Sequence, residues 1–103
     1  GKMKYKEISK FPNVKKDIAF VVDKSLTSKE VEKAIKNGGG SLLTDIEIFD
    51  VYIGVGIGLD KKSMAYSLTF SDNKKTLTDD EVNALMNKII DTVSKKCGAE
   101  LRK

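Results

Sequence analysis

Residues 47 to 54 read EIFDVYIG, and this stretch places a carboxylate and a phenol ring within a predicted strand. Because the side chains of a strand alternate between its two faces, Asp50 and Tyr52 should project together from one side. An ionised carboxylate can only accept hydrogen bonds, and the aromatic ring offers a flat apolar surface. The pattern raises the question of what would use an acceptor-only carboxylate and a flat aromatic ring side by side on an open sheet face. The alternative is that Asp50 forms an ion pair with a neighbouring lysine, beside an ordinary surface tyrosine.

The composition removes most other kinds of site. The chain has 103 residues, which suits one domain, and it contains no histidine and a single cysteine, Cys97. A Ser-His-Asp or Cys-His catalytic site and a Cys/His zinc site are therefore excluded, as is a disulfide within the chain. The net charge of +4 permits a polyanionic partner without requiring one. No apolar run approaches the roughly 20 residues of a membrane span, so we expect a cytoplasmic protein without a membrane partner.

Two helices are predicted from the same start signal, a capping box in which a threonine and a glutamate lie three residues apart. Hydrophobic residues flank each box, and an apolar stripe at helical spacing follows it. Glycines then end both stripes. The boxes are Thr27 with Glu30 and Thr78 with Glu81, and the glycines are Gly38 to Gly40 and Gly98.

Alternating apolar residues predict three strands, in KDIAFVV, LLTDIEIFDVYIG and SMAYSLTF, with a short fourth strand in the tail AELRK. The alternation of the second strand breaks between Ile48 and Phe49, which predicts a β-bulge near residues 48 to 50. We expect the helices to cover one face of the sheet, including Phe20, Phe49, Val51, Tyr66 and Phe70. The face expected to stay open carries Asp17, Ala19, Asp50, Tyr52, Ser63 and Ala65.

The order strand, helix, strand, strand, helix, strand predicts an α+β, ferredoxin-like βαββαβ fold, with a four-stranded antiparallel sheet and two helices on one face. We expect this domain to occupy residues 15–103, after an N-terminal linker or arm over residues 1–14. The glycine-rich GVGIG at residues 54–58 is similar to a phosphate-binding loop, but the next predicted element is a strand and not a helix. The loop is therefore interpreted as a connection between two antiparallel strands.

Several short motifs occur in an order that resembles one family across nearly the whole chain, from about Tyr5 to Arg102. The motifs are ISKFPNVKKDIA, FDVYIG, KKSMAYSLTF, TLTDDEV and GAELR. The family is the ferredoxin-fold anticodon-binding domain that closes the beta subunit of phenylalanyl-tRNA synthetase. This resemblance implies that the chain is a module of a tRNA ligase and carries no catalytic site of its own.

The resemblance also implies which residues contact tRNA. By their positions in the motifs, the anticodon contacts are Ala19, Asp50, Tyr52 and Ser63. Lysines beside the same motifs are candidate phosphate contacts, namely Lys15, Lys16, Lys61 and Lys62. The family commonly has arginine where this chain has Lys16, and a lysine can keep a phosphate contact but lacks the bidentate fork of arginine.

The partners implied by the resemblance are tRNA(Phe), read mainly at a guanine in the first anticodon position, and the alpha subunit of a tetramer of two alpha and two beta chains. ATP and magnesium are expected in the catalytic alpha subunit, and no cofactor or metal is expected in this domain. Two other functions share the fold. A small-ligand-binding regulatory domain would need a closed apolar pocket, and a stand-alone hydrolase would need an anion-binding loop.

Overall fold

The computed structural model describes residues 11–54 and 56–102, so residues 1–10 of the predicted N-terminal arm lie outside it. The described chain forms four strands and two α-helices in the predicted order, with a short 3-10 turn between the first helix and the second strand. Their bounds are β1 Val14–Asp23, α1 Ser28–Gly39, the turn Gly40–Leu42, β2 Leu43–Tyr52, β3 Lys61–Phe70, α2 Asp79–Cys97 and β4 Glu100–Leu101.

The four strands form one antiparallel sheet in the order β2-β3-β1-β4. Both helices pack on the same face of this sheet, and the predicted ferredoxin-like fold is confirmed. The strand β4 is short and pairs only with Phe20 and Val21, which leaves the first half of β1 as an open edge. The segment GVGIG connects β2 to β3, as the sequence predicted. In the described part of the chain, no helix is both long and apolar enough to cross a membrane.

Both helices begin at the predicted capping boxes. The Thr27 Oγ1 accepts a hydrogen bond from the backbone N–H of Glu30 at 3.2 Å, and the backbone N–H of Thr27 donates to the Glu30 carboxylate at 3.0 Å. The corresponding distances for Thr78 and Glu81 are 3.1 and 2.9 Å. Lys75 also forms an ion pair with Glu81, and these hydrogen bonds, led by the one from Lys75, lower the pKa of the Glu81 carboxyl. Each box satisfies two donors that a helix start would otherwise leave without partners.

The core lies between the helices and one face of the sheet. Gly38 allows the two helices to approach closely, because a side chain there would come within 2.7 Å of the Ile89 Cα. Tyr66 is fully buried and keeps a polar partner, since its hydroxyl shares a 3.1 Å hydrogen bond with Ser28. Burial raises the pKa of the Tyr66 phenol. The core side chains of the strands are Ile18, Phe20, Val22, Met64, Tyr66, Leu68 and Phe70.

The predicted β-bulge is confirmed in β2. The register of β2 against β3 shifts between Ile48 and Asp50, so that Phe49 is the additional residue. A second register shift lies between Leu43 and Asp45. The bulge changes which face the following side chains point to, which brings Asp50 into register with Ala65.

The expectation that the helices cover Phe49 and Val51 is wrong. Phe49 is 56% exposed and Val51 is 51% exposed. Val51 stays on the helix side, opposite Met64, but the helices do not cover the second half of this edge strand. Phe49 is the additional residue of the bulge and lies beside Ala19 and Ala65 of the open face. The other aromatic residues expected in the core, Phe20, Tyr66 and Phe70, are all buried.

Candidate nucleic-acid interface

The face of the sheet opposite the helices carries the four residues implied as anticodon contacts. Directly paired residues of antiparallel strands share a face. Asp50 pairs with Ala65, which pairs in turn with Ala19, and Tyr52 pairs with Ser63 in the next row. The register therefore brings Ala19, Asp50, Tyr52 and Ser63 together on one open surface formed by three adjacent strands. We call this surface the open face.

Asp50 and Tyr52 are both accessible on this face, and Tyr52 is 38% exposed. They lie side by side because residues two apart in a strand point to the same side. The site thus presents a hydrogen-bond acceptor next to an aromatic ring. Ala19 and Ala65 have small side chains and form a low floor beside Asp50.

Arg102 lies over the ring of Tyr52, with the guanidinium carbon 5.0 Å from the ring centroid. This distance is within the range of a cation–π interaction. The backbone N–H of Arg102 donates to the Ala19 carbonyl at 2.9 Å, which anchors Arg102 beside β1. The two side chains therefore meet from opposite edges of the sheet, above the central strands. Ser63 lies on one of these strands and is only 2% exposed.

Arg102 is a candidate site residue that the sequence interpretation did not include. The available signal was its identity, since it is the single arginine in a chain whose other basic residues are all lysines. A guanidinium is planar and can stack on an aromatic ring or on a nucleobase, which a lysine cannot do.

The four lysines considered as phosphate contacts do not occupy equivalent positions. Lys15 pairs with Thr69 in the register and lies on the open face. Lys61 is on the same face but forms an exposed ion pair with Asp23 at 3.3 Å. Lys16 pairs with Leu68 and Lys62 pairs with Val22, so both lysines lie on the helix side of the sheet.

Phe49 lines a depression of about 440 Å³ together with Ala19 and Ala65 of the open face. Asp17 and Arg102 also line it, and the remaining lining residues are apolar and include two residues of α2. We call this feature the Phe49 depression. It adjoins Asp50, which follows Phe49 directly in the bulge.

The described residues contain no group of three or more His, Cys, Asp or Glu side chains that could hold a metal ion. What the open face offers is hydrogen-bond acceptors, flat stacking surfaces and cations. This chemistry suits the recognition of a single-stranded nucleic acid, whose bases stack on aromatic rings and whose phosphates attract cations.

A family model described as the ferredoxin-fold anticodon binding domain matches residues 9–102 of the chain. The chain belongs to this family. The resemblance inferred from the motifs is thereby confirmed, and the match favours anticodon binding over the regulatory-domain and hydrolase alternatives. As a ferredoxin-fold anticodon-binding domain, the chain carries its candidate site on the open side of the sheet, away from the helices.

Curated proteins similar to this anticodon-binding domain are phenylalanine–tRNA ligase beta subunits. The subunit of Clostridium acetobutylicum is 46% identical over 99 residues, which are 96% of this chain and 12% of that protein. That of Haemophilus influenzae is 46% identical over 97 residues, or 94% of this chain and 12% of its own length. That of Listeria monocytogenes is 39% identical over 101 residues, or 98% and 13%. The chain thus spans about an eighth of the length of these relatives.

Proposed function

We propose that this domain binds the anticodon loop of tRNA(Phe) as part of a phenylalanine–tRNA ligase beta subunit. The family match and the names of the relatives support this proposal. The observation that carries it is the pairing of Asp50 and Tyr52 on the open face, where an acceptor-only carboxylate adjoins an accessible aromatic ring.

The physical basis is the recognition of an unstacked base. The Tyr52 ring replaces the stacking that a loop base has lost, and such a stack is worth roughly 1–3 kcal/mol. The Asp50 carboxylate then selects among bases, because it can only accept hydrogen bonds. The Watson–Crick edge of guanine presents two neighbouring donors, whereas uridine presents one and adenine and cytosine one donor group each. The arrangement therefore favours guanine at the first anticodon position.

The other residues of the open face have supporting roles in this proposal. The small side chains of Ala19 and Ala65 let the base approach the sheet. The Ser63 hydroxyl is covered in the free domain, so it reaches a ligand only when the side chains above it shift. Lys15 and Lys61 are placed to attract phosphates, and Lys61 must exchange its Asp23 partner to do so. Lys16 and Lys62 could contact phosphates only around the strand edges or ends.

The rest of the parent enzyme belongs to the same proposal. The domain would work in a tetramer of two alpha and two beta chains in the cytoplasm. The alpha subunit would join phenylalanine to tRNA with ATP and magnesium, and this domain would hold no cofactor. Its contribution to the reaction would be the positioning and selection of the tRNA.

The test is aminoacylation by the intact synthetase that contains this domain, with tRNA(Phe) and with variants of the first anticodon base. Asp50→Asn keeps the side-chain volume but adds a donor, so we expect the preference for guanine to fall by about 1–2 kcal/mol, within the range of good base contacts. Tyr52→Ala should cost roughly 1–3 kcal/mol in kcat/KM whichever base is present. Tyr52→Phe should have little effect, because it keeps the ring.

Different results would contradict different parts of this proposal. Equal losses on all tRNA variants for Asp50→Asn would mean that the carboxylate positions the loop and does not read the base. Unchanged kcat/KM values for both Asp50→Asn and Tyr52→Ala would contradict the proposal. The two residues would then be ordinary surface residues with no role in tRNA recognition.

A further inference from the structure

Gly54 is the first glycine of the connection between β2 and β3, and it lies two residues after Tyr52, the last residue of β2. Two later glycines of this connection are explained by their backbone. Gly56 and Gly58 have φ values of 99° and 105°, which residues with a side chain rarely adopt. Gly54 does not have a positive φ, so its backbone would accept a side chain. Another reason is therefore needed for a glycine at this position.

What Gly54 provides is space for the end of the Tyr52 side chain. A Cβ atom at position 54 would lie 2.7 Å from the Tyr52 Oη, 2.9 Å from its Cζ and 3.5 Å from its Cε1. Atoms without a bond between them are attracted at about 3.5–4.0 Å and repel one another at clearly shorter distances. The phenol end of Tyr52 thus occupies a place that only a glycine at position 54 leaves open.

The Tyr52 ring has a second contact, from the other edge of the sheet. The Arg102 guanidinium carbon lies 5.0 Å from the ring centroid, and the backbone N–H of Arg102 is bonded to the Ala19 carbonyl. Gly54 contacts the end of the ring, and Arg102 lies over its face. A tyrosine side chain has only two χ angles, so contacts at its end and its face suffice to set its orientation. A side chain that is oriented before a ligand arrives loses less freedom on binding.

A methyl group at position 54 should move the ring and leave the fold intact. The atoms that it would meet belong to the free end of a side chain that is 38% exposed, and not to the backbone. Alanine in place of glycine also restricts the unfolded chain, which stabilises a protein where the backbone accepts the change. Stability and the orientation of Tyr52 should therefore respond differently to the same substitution.

We propose that Gly54 is a positioning residue, which holds the Tyr52 ring in the orientation that binds the ligand. This inference rests on the proposed anticodon-binding function and adds a residue that acts through Tyr52 without needing to contact the RNA. It also gives the first glycine of GVGIG a role beyond the connection of two strands.

The test compares Gly54→Ala, Tyr52→Ala and the double variant of this chain. NMR of the free chain measures the chemical shifts of the Tyr52 ring protons and their nuclear Overhauser effects to residue 54. Fluorescence anisotropy measures binding of a hairpin RNA that carries the tRNA(Phe) anticodon loop, and urea unfolding measures stability. Ile53→Ala is the matched control, because it changes the exposed residue between the two and adds no atom beside the ring.

We expect Gly54→Ala to shift the Tyr52 ring resonances in the free chain, without lowering the urea midpoint. It should weaken RNA binding by no more than Tyr52→Ala does, for which loss of one base–aromatic stack predicts about 5- to 150-fold. The double variant should bind as Tyr52→Ala alone does, since the added methyl then has no ring to displace. Ile53→Ala should change neither the ring resonances nor the binding.

Two results would overturn the positioning role: unshifted Tyr52 resonances in Gly54→Ala, or a Gly54→Ala binding loss that is equally large with and without Tyr52. If Tyr52→Ala still weakens RNA binding in those cases, only the role of Gly54 fails. If the ring resonances shift but Tyr52→Ala binds the RNA as the unmodified chain does, the proposed function of Tyr52 fails, and the role of Gly54 fails with it.

Discussion

The two faces of the sheet use the same aromatic residue types for different purposes. On the helix side, Phe20 is 1% exposed and Tyr66 is fully buried, with the Tyr66 hydroxyl bonded to Ser28. On the open face, Phe49 is 56% exposed, and Tyr52 is 38% exposed beneath the guanidinium of Arg102. A protein gains stability from an aromatic residue by removing it from water, and the open face forgoes that gain at two positions.

This difference shows that the exposure of these aromatic side chains depends on the course of the backbone, and not only on which residues the sequence contains. The edge position of β2 leaves its second half uncovered, and the bulge at Phe49 sets which side chains follow Asp50 onto the open face. Contiguous exposed apolar surface on a soluble domain commonly marks an interaction site. The buried side chains on the helix side stabilise the fold, and the exposed side chains on the open face are available to bind a ligand.

The largest effect expected from this contrast is on stability. Phe20→Ala removes a buried ring and should lower the free energy of unfolding by about 3–5 kcal/mol. Phe49→Ala, the same change on the open face, should cost less than about 1 kcal/mol because most of the ring is already in water. Urea denaturation of both variants measures the difference. Similar losses for the two would show that Phe49 is packed as a core residue, and the contrast between the two faces would not hold at this position.

Local signals made much of the fold predictable from the sequence. The capping boxes at Thr27 and Thr78 are determined by residues three apart, so they needed no knowledge of tertiary structure. The bulge was predictable because two adjacent apolar residues interrupt the alternation of β2. The exposure of Val51 was not predictable in this way, since it depends on which strand lies at the sheet edge and how far the helices extend. That of Phe49 depends on which face the additional residue of the bulge takes.

In the candidate site, too, some features were predictable from local sequence and others depend on the tertiary structure. Alternation placed Asp50 and Tyr52 on one face, and the register of the neighbouring strands brings Ser63 beside them. Arg102 directly follows the two-residue strand β4 at the opposite edge and approaches Tyr52 across the width of the sheet. No sequence spacing encodes this contact, because it depends on the strand order and on the lengths of two side chains.

An intermediate effect is expected at the helices that cover the core. Thr78→Ala removes the cap of α2 and should cost about 1 kcal/mol of the free energy of unfolding. RNA binding should not change under conditions where the variant is folded, because α2 begins on the helix side of the sheet. Thr76→Ala is a suitable control, as it changes an exposed threonine just before the cap. An RNA affinity that falls with the Thr78→Ala substitution alone would show that the two faces are energetically coupled.

The smallest effects are expected from substitution of the lysines, measured as changes in the salt dependence of RNA binding. They would show which lysines of the open face contact phosphates. If about three lysines neutralise phosphates of a single-stranded loop, the logarithm of the binding constant should fall with the logarithm of salt concentration with a slope near −2. Lys15→Gln should make this slope less steep by about 0.7, the value for one phosphate contact. Lys61→Gln should change the slope less, because Lys61 already forms an ion pair with Asp23.

The matched control for both substitutions is Lys88→Gln, which removes an exposed charge from α2 and leaves the net charge of the variants equal. Its slope should equal that of the unmodified chain, since α2 packs on the other side of the sheet. Loss of the exposed Lys61–Asp23 pair should itself cost no more than about 1 kcal/mol of stability. Equal slope changes for Lys15→Gln and Lys88→Gln would show that net charge, and not the placement of Lys15 on the open face, governs attraction of the RNA. A smaller slope for Lys15→Gln alone would instead assign a phosphate to the β1 end of the open face, on the same strand as Asp17 and Ala19.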